Sequence, residues 1–269
     1  MEKNIKIAHI IHPVIAAPTS DLLIAQPITF ETMHTAREFA GNRKDLDVQL
    51  YAVQYSDEER IPLPGSFIRT RDLSRSVVDV GTFRARRKLA LIKDIMDILY
   101  ESCDADYMIY TNVDIALQPY FYQVAADIIR QDYDAFIINR RTIPGHYRSI
   151  REIPLMFAEI GEKHPGWDCF IFKREFYPQF MLGNACIGTD WIGRIILSNM
   201  APLATRFKVF TDMQMTFHIG DDRVWQTDEF SDYAEHNKEE CRKTLEEFDK
   251  KYGPFDRNGL PGRFLNKFT

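Results

Sequence analysis

The sequence predicts an α/β fold: a mostly parallel central sheet flanked by helices, followed by a helical C-terminal extension. Short apolar runs rich in β-branched and aromatic residues alternate with segments of helical period. Several of the runs are apolar at almost every position, as strands covered on both faces are. Strand, helix, strand in that order also requires crossover connections, which place helices on the sheet faces.

The elements follow in order. "IKIAHII" at residues 5–11 is the first strand-like run, and "VQLYAVQY" at 48–55, "YMIY" at 107–110, "AFIIN" at 135–139 and "CFIFK" at 169–173 follow it. Residues 26–40, "QPITFETMHTAREFA", read as a helix with Pro27 in its first turn. Within residues 87–101, Ile92, Ile95, Met96 and Leu99 fall at i, i+3, i+4 and i+7. Phe121, Val124, Ala125 and Ile128 repeat that pattern after Pro119. Residues 142–168 mix turn residues with a short helical pattern, as an active-site flap or acceptor loop does. Cys241, Leu245, Phe248 and Tyr252 mark one face of a charged helix, and "GPFDRNGLPGRFLNKFT" after it has the Gly and Pro content of an extended tail. With no internal repeat or low-complexity linker, the expected organisation is a domain over residues 1–225 with a helix and tail, 226–269, packed on it.

A chain of 269 residues with 45% hydrophobic and 27% charged residues is an ordinary globular composition. The formal charge of -5 offers no general attraction to a polyanion. The one basic cluster, "RARRK" at 84–88, has no aromatic residues interleaved with it, so nucleic acid is a poor candidate partner. Cys103, Cys169, Cys186 and Cys241 are widely spaced without a CxxC pair, which argues for free thiols in a reducing cytosol rather than a zinc or redox site. His9, His12 and Pro13 interrupt the first apolar stretch, against a signal peptide. No later segment approaches the ~20 apolar residues of a transmembrane segment. The expectation is a cytoplasmic protein, with peripheral association at the inner membrane face as the alternative. No pattern specifies an oligomeric state.

The stretch "ADYMIYTNVDIALQPYFY", residues 105–122, ends a buried run in Asn112 and Asp114. Ligands of open α/β sheets sit beyond the carboxyl ends of strands. In an extended segment the i, i+2 spacing turns both side chains the same way, where they can share a hard cation with a diphosphate. An Asx turn capping the next helix is the plainer use of the same residues.

The run "DADYMIYTNVDIAL", preceded by "RRKLALIKDIMDIL", resembles the DxD region of glycosyltransferases with the GT-A fold, the nucleotide-diphospho-sugar transferase superfamily, of the bacterial polysaccharide type. In that family a strand ends in two acids that hold Mn²⁺ or Mg²⁺ on the diphosphate of a nucleotide sugar. Asp114 matches the last acid, whereas Asn112 stands at the first and is neutral, so the metal's charge falls on Asp114. "CIGTDWIGRIIL" at 186–197 resembles the family's Glu-Asp motif, with Asp190 at the second acid and Thr189 replacing the first. The resemblance implies a general base at Asp190, at a helix start whose dipole favours the carboxylate, with Trp191 beside it to stack on a sugar ring. A simple helix cap is the alternative for both Thr189 and Asp190.

In "MTFHIGDDRVWQ", His218 resembles the late histidine that many members add as a metal ligand, although a lone histidine is more often a structural hydrogen-bonding residue. "KHPGWDCFIF" resembles an acceptor-side loop leading into a strand, which puts Trp167 and Asp168 in the acceptor cleft, with Asp168 as second candidate for the base. Arg84, Arg86, Arg87 and Lys88, entering the helix before the Asn-Val-Asp strand, suit a diphosphate or else form a solvated helix start. His12 and Pro13, at the end of the first strand, face the base and ribose, in a glycine-free run that excludes a Rossmann phosphate loop.

Together these imply metal-dependent transfer of a sugar from a nucleotide-diphosphate sugar donor to a hydroxyl of a glycan or lipid-linked acceptor. In-line attack implies inversion, with retention as the alternative. A catalytically silent nucleotide- or carbohydrate-binding protein is the main rival, favoured by Asn112 and Thr189. A sugar nucleotidyltransferase is a weaker one, because "HIIHPVIAAP" lacks a Gly-rich loop and a basic residue.

Overall fold

The first strand, β1 (Ile5–Ile11), lies inside the main sheet, flanked in parallel by β2 (Leu46–Ala52) and β4 (Tyr107–Thr111). The computed structural model describes residues 4–221 and 227–253. Beyond β2 the short β3 (Phe67–Arg69) extends the sheet in parallel. On the other side β9 (Cys169–Lys173) runs antiparallel between β4 and β6 (Ala135–Ile138), and β10 (Phe207–Phe210) pairs parallel with β6 at the edge. The order is β10-β6-β9-β4-β1-β2-β3, mostly parallel as expected.

The period of two divides each strand between two cores. Ile7, Ile109, Phe136 and Ile171 face α1 (Leu22–Ala40) and α3 (Phe121–Ile129), where Phe30, Met33, Phe121 and Ala125 cover them. Ala8, Met108, Tyr110, Ile137 and Phe170 face the opposite layer of α2 (Ile92–Ser102) and α5 (Ile192–Met200). The last described helix, α6 (Ser231–Tyr252), adds Cys241 and Leu245 to that layer. The apolar runs therefore read as strands because both faces are dry.

A second, smaller sheet stands beyond the carboxyl edge of the first. It joins β5 (Ala116–Leu117), β11 (Thr216–Ile219), β7 (Arg141–Ile143) and β8 (Glu162–Lys163), with the short helix α4 (Ile153–Ala158) beside it. Its apolar side, Phe217, Ile219 and Ile143, packs on Ile153, Met156 and Ile28.

Two helix expectations are corrected. The first helix starts at Leu22, so Pro27 lies inside it, where its missing N–H forgoes one helical hydrogen bond. The basic run 84–88 is loop, and α2 begins only at Ile92, where its apolar stripe begins. The expected tail falls outside the described residues beyond Gly253. No described helix is long and apolar enough to cross a membrane. Cys169, Cys186 and Cys241 are buried and Cys103 half-buried, all four unpaired.

One buried histidine ties the layers together. The His9 ring on β1 sits with Nδ1 2.8 Å from the Tyr122 hydroxyl and Nε2 2.9 Å from Thr111 Oγ1, linking β1, α3 and β4. Burial lowers its pKa to about 3 and, with Lys88 adding to the effect, lowers that of His12 to about 4. Both stay neutral in the fold while the unfolded chain binds protons from about pH 6.5 downward, so stability falls as pH drops below that value. Urea denaturation at pH 7 and pH 5 is expected to show a loss of about 2 kcal/mol per histidine, and His12→Gln should reduce that slope.

Candidate active site

The carboxyl edge of the main sheet collects several of the candidate residues. β4 ends at Thr111, and Asn112 to Ile115 form a turn closed by the Ile115 N–H on the Asn112 carbonyl at 3.2 Å. Asn112 and Asp114 thus leave an extended strand and enter a turn, which separates their directions. Asn112 Oδ1 accepts the Tyr110 hydroxyl at 3.0 Å, so the amide's N–H groups are its remaining donors toward a ligand.

Asp114 meets His218 across the two sheets, because β5 and β11 pair antiparallel just after the turn. Asp114 Oδ2 lies 3.3 Å from His218 Nε2, and His218 Nδ1–H donates to the Gly220 carbonyl at 2.8 Å. That backbone bond orients the ring and points Nε2 at the carboxylate. Asp114 Oδ1 is buried with no hydrogen-bond partner. Burial disfavours the Asp114 charge, yet the bond and charge of His218, with Arg140 nearby, outweigh it and hold the carboxyl below its usual range. Burial likewise opposes the His218 charge, but Asp114 overrides it and raises the histidine's pKa.

Arg140 is a residue the sequence reading missed. It follows β6, is buried, and its Nη1 donates to Asp168 Oδ2 at 3.0 Å, while Nη2 lies 3.3 Å from His164 Nε2. His164 is held below its usual pKa, first by burial and then by the Arg140 charge. Two arginines directly after an apolar strand, Arg140 and Arg141, are the signal that was there to find. Asp168, expected as an acceptor contact or second base, is buried with Oδ2 committed to this ion pair, which suits it to hold Arg140.

Asp190 precedes α5, and its Oδ1 accepts from the Trp191 N–H at 2.9 Å and Arg194 Nη1 at 3.2 Å. The Gly193 backbone packs on the Trp167 main chain so closely that a Cβ there would lie 3.0 Å from the Trp167 carbonyl oxygen. The Asp190 loop and the start of β9 are therefore neighbours.

Two expectations are corrected. Trp191 is buried at 8% exposure, takes the left-handed φ of 76°, and lies under the Arg194 guanidinium at 4.6 Å from its ring, so it packs inside rather than offering a face to a sugar. Trp167, by contrast, is only half-buried beside the same core. Arg84 and Arg87 are taken up by α6 and the turn before it: the Arg84 N–H donates to Asp232 Oδ2 at 2.7 Å, the Arg87 N–H to the Tyr233 hydroxyl at 2.8 Å, and the Arg87 guanidinium pairs with Glu229. Only Lys88 of the basic run approaches the β1 edge, pairing with Asp57 and resting 3.8 Å from the centre of the Tyr55 ring. Tyr55 in turn meets His12 edge-on at 5.7 Å, and His12 Nδ1–H donates to the Val53 carbonyl at 2.8 Å. Pro13 follows, with Val14 gripped by the Gln26 amide through both its N–H and its carbonyl.

The fold has counterparts among solved structures. The chain is similar to Staphylococcus aureus TarS 1-349 in complex with UDP-GlcNAc, with a TM-score of 0.51 at 10% identity over 95% of this chain and 74% of that one. A further structure of S. aureus TarS 1-349 gives 0.50 at 9% identity over the same shares. The likeness establishes the α/β architecture with its mostly parallel sheet. No protein-family model matches the sequence, and comparison with curated protein sequences gives no match.

The buried Arg140–Asp168 pair gives a stability test. Arg140→Met should cost about 3 kcal/mol in urea denaturation by stranding Asp168, and Arg140→Met with Asp168→Leu should regain much of it.

Proposed function

We propose that this protein is a metal-dependent glycosyltransferase moving a sugar from a nucleotide-diphosphate donor to a hydroxyl of a glycan or lipid-linked acceptor. The observation that carries the reading is the meeting of Asp114 and His218 at the sheet's carboxyl edge, with one buried carboxylate oxygen unpartnered. Such an orphaned atom is costly unless a ligand completes it.

The donor set fits Mn²⁺ or Mg²⁺, with an imidazole favouring manganese. Asp114 Oδ1 and His218 Nε2 would hold the ion, with diphosphate oxygens and water completing its coordination, since among the described residues no third acid, cysteine or histidine is grouped with them. A cation bound there supplies positive charge against the leaving diphosphate. Binding requires His218 to give up its Nε2 proton, so affinity rises with pH.

The chain's own groups do the rest. Asn112 offers its N–H groups to the donor, and the region of His12, Pro13 and Lys88 lies at the end of β1, where base and ribose bind. The Asp190 carboxylate takes the proton of the acceptor hydroxyl as that oxygen bonds to the anomeric carbon and the bond to diphosphate breaks. Arg140, fixed by Asp168, adds positive potential beside Asp114. Ile150, Leu155 and Ile160, exposed along residues 142–163, suit an acceptor carried on a lipid, and hence a cytoplasmic enzyme working at the inner membrane face. The TarS structure with UDP-GlcNAc supports a UDP-sugar as donor.

Thermal shift with UDP, GDP, CDP and ADP, each with Mn²⁺ or EDTA, tests the donor site. A metal-dependent rise of several degrees with one nucleotide, absent in Asp114→Ala, is expected. No shift with any nucleotide at millimolar concentration overturns the reading in favour of a binding module of another kind. Asp190→Asn should lower sugar transfer at least 100-fold while keeping the nucleotide shift, which a silent nucleotide-binding protein has no transfer to lose.

A further inference from the structure

A single buried amide from α6 fastens both ends of the loop that carries Asp190. Asn237 Nδ2 donates to the Cys186 carbonyl at 2.7 Å and to the Asp190 carbonyl at 3.0 Å. Its Oδ1 accepts the Cys186 N–H at 2.9 Å. Both donor hydrogens of the side chain and one acceptor position are thereby used, and the residue is wholly buried. Between the two anchor points Gly188 stands at φ 81° and, just past them, Trp191 at φ 76°. A left-handed aromatic residue persists only where its surroundings over-determine it.

Neighbouring contacts hold the near end of this loop but stop short of Asp190. The Ile187 N–H donates to the Ala90 carbonyl at 2.9 Å, and the Asn184 N–H donates to Glu240 Oε2 at 2.7 Å. Asn237 reaches further, to the Asp190 main chain itself. The rotamer of Asp190 is then set by the Trp191 N–H and Arg194.

We infer that Asn237 is a positioning residue for the proposed base Asp190, acting through the Asp190 main chain. The inference rests on the assignment of Asp190 as base. Without the Nδ2 donors two buried carbonyls lose their partner, and the loop relaxes from the geometry that aims the carboxylate. Misaiming a base lowers the chemical rate and leaves donor binding, made at Asp114 and the β1 edge, unchanged.

The test compares the full chain with Asn237→Ala, Asn237→Asp and Asp190→Asn in Mn²⁺, reading release of UDP from UDP-GlcNAc and from UDP-glucose, together with UDP binding by calorimetry. Asn237→Asp keeps the acceptor for Cys186 and loses the donors, so it carries the test if the alanine variant does not fold. Expected is a fall in kcat of at least 10-fold with UDP Kd and donor KM within twofold. The acid limb of the Asn237→Asp kcat profile should also move to higher pH, because a new negative charge lies beside the base. Unchanged kcat in both Asn237 variants, while Asp190→Asn is inactive, overturns the positioning role alone. Full turnover by Asp190→Asn, or none by the wild type with either sugar nucleotide, overturns the base or transferase assignment and this inference with it.

Discussion

Strand β9 enters the main sheet backwards, and its hydrogen bonds to β4 on one side and β6 on the other set the geometry of the site. Because it runs antiparallel, its start lies where β4 and β6 end. Asp168 therefore arrives at the same edge as Asn112, Asp114 and Arg140, although these residues are scattered over more than fifty positions of sequence. A parallel strand in that slot would have delivered Lys173 there instead. The second sheet, with β11 bound to β5 and β7, then brings His218 onto the edge from above.

Charge at this edge is arranged in linked pairs. Arg140 is neutralised by Asp168 and influences both Asp114 and His164, so removing one member changes the balance for several others. The overall charge of -5 says nothing of this, because it is a sum that does not show which cations have acids beside them. Arg84, Arg87 and Lys88 illustrate the point: each has a carboxylate partner, and two of them bind loop to helix.

Strands β1, β4, β6 and β9 were legible from sequence because dry faces on both sides leave continuous apolar runs, and α2, α3 and α6 because a one-sided helix leaves a stripe. The small sheet was not, since strands of two to four residues carry too few positions for a period to show. Pro27 misled on the start of α1: a helix buried along its side tolerates one missing bond, and propensity yields to packing. The candidates Asp114, Asp190 and His218 stand out by motif. Arg140 is marked only by the pair of arginines after an apolar strand, and His164 and Asn237 by nothing local, because their partners lie 24 and 51 residues away. Trp191 read as a surface aromatic because its left-handed backbone, which turns it inward, leaves no trace in composition.

The four thiols differ in a way that matters at the bench. Burial pushes the Cys186 and Cys241 thiols up to about 12 and Cys169 well above its usual range, so none of the three supplies thiolate at neutral pH. Cys103 is the half-buried one, at the cap after α2, just ahead of β4 and so at the sheet's opposite end from Asp114. Maleimide chemistry therefore has a natural single address on this chain. A dye or tether attached there leaves the carboxyl edge open, which suits the native protein to surface immobilisation and single-molecule work without cysteine replacement.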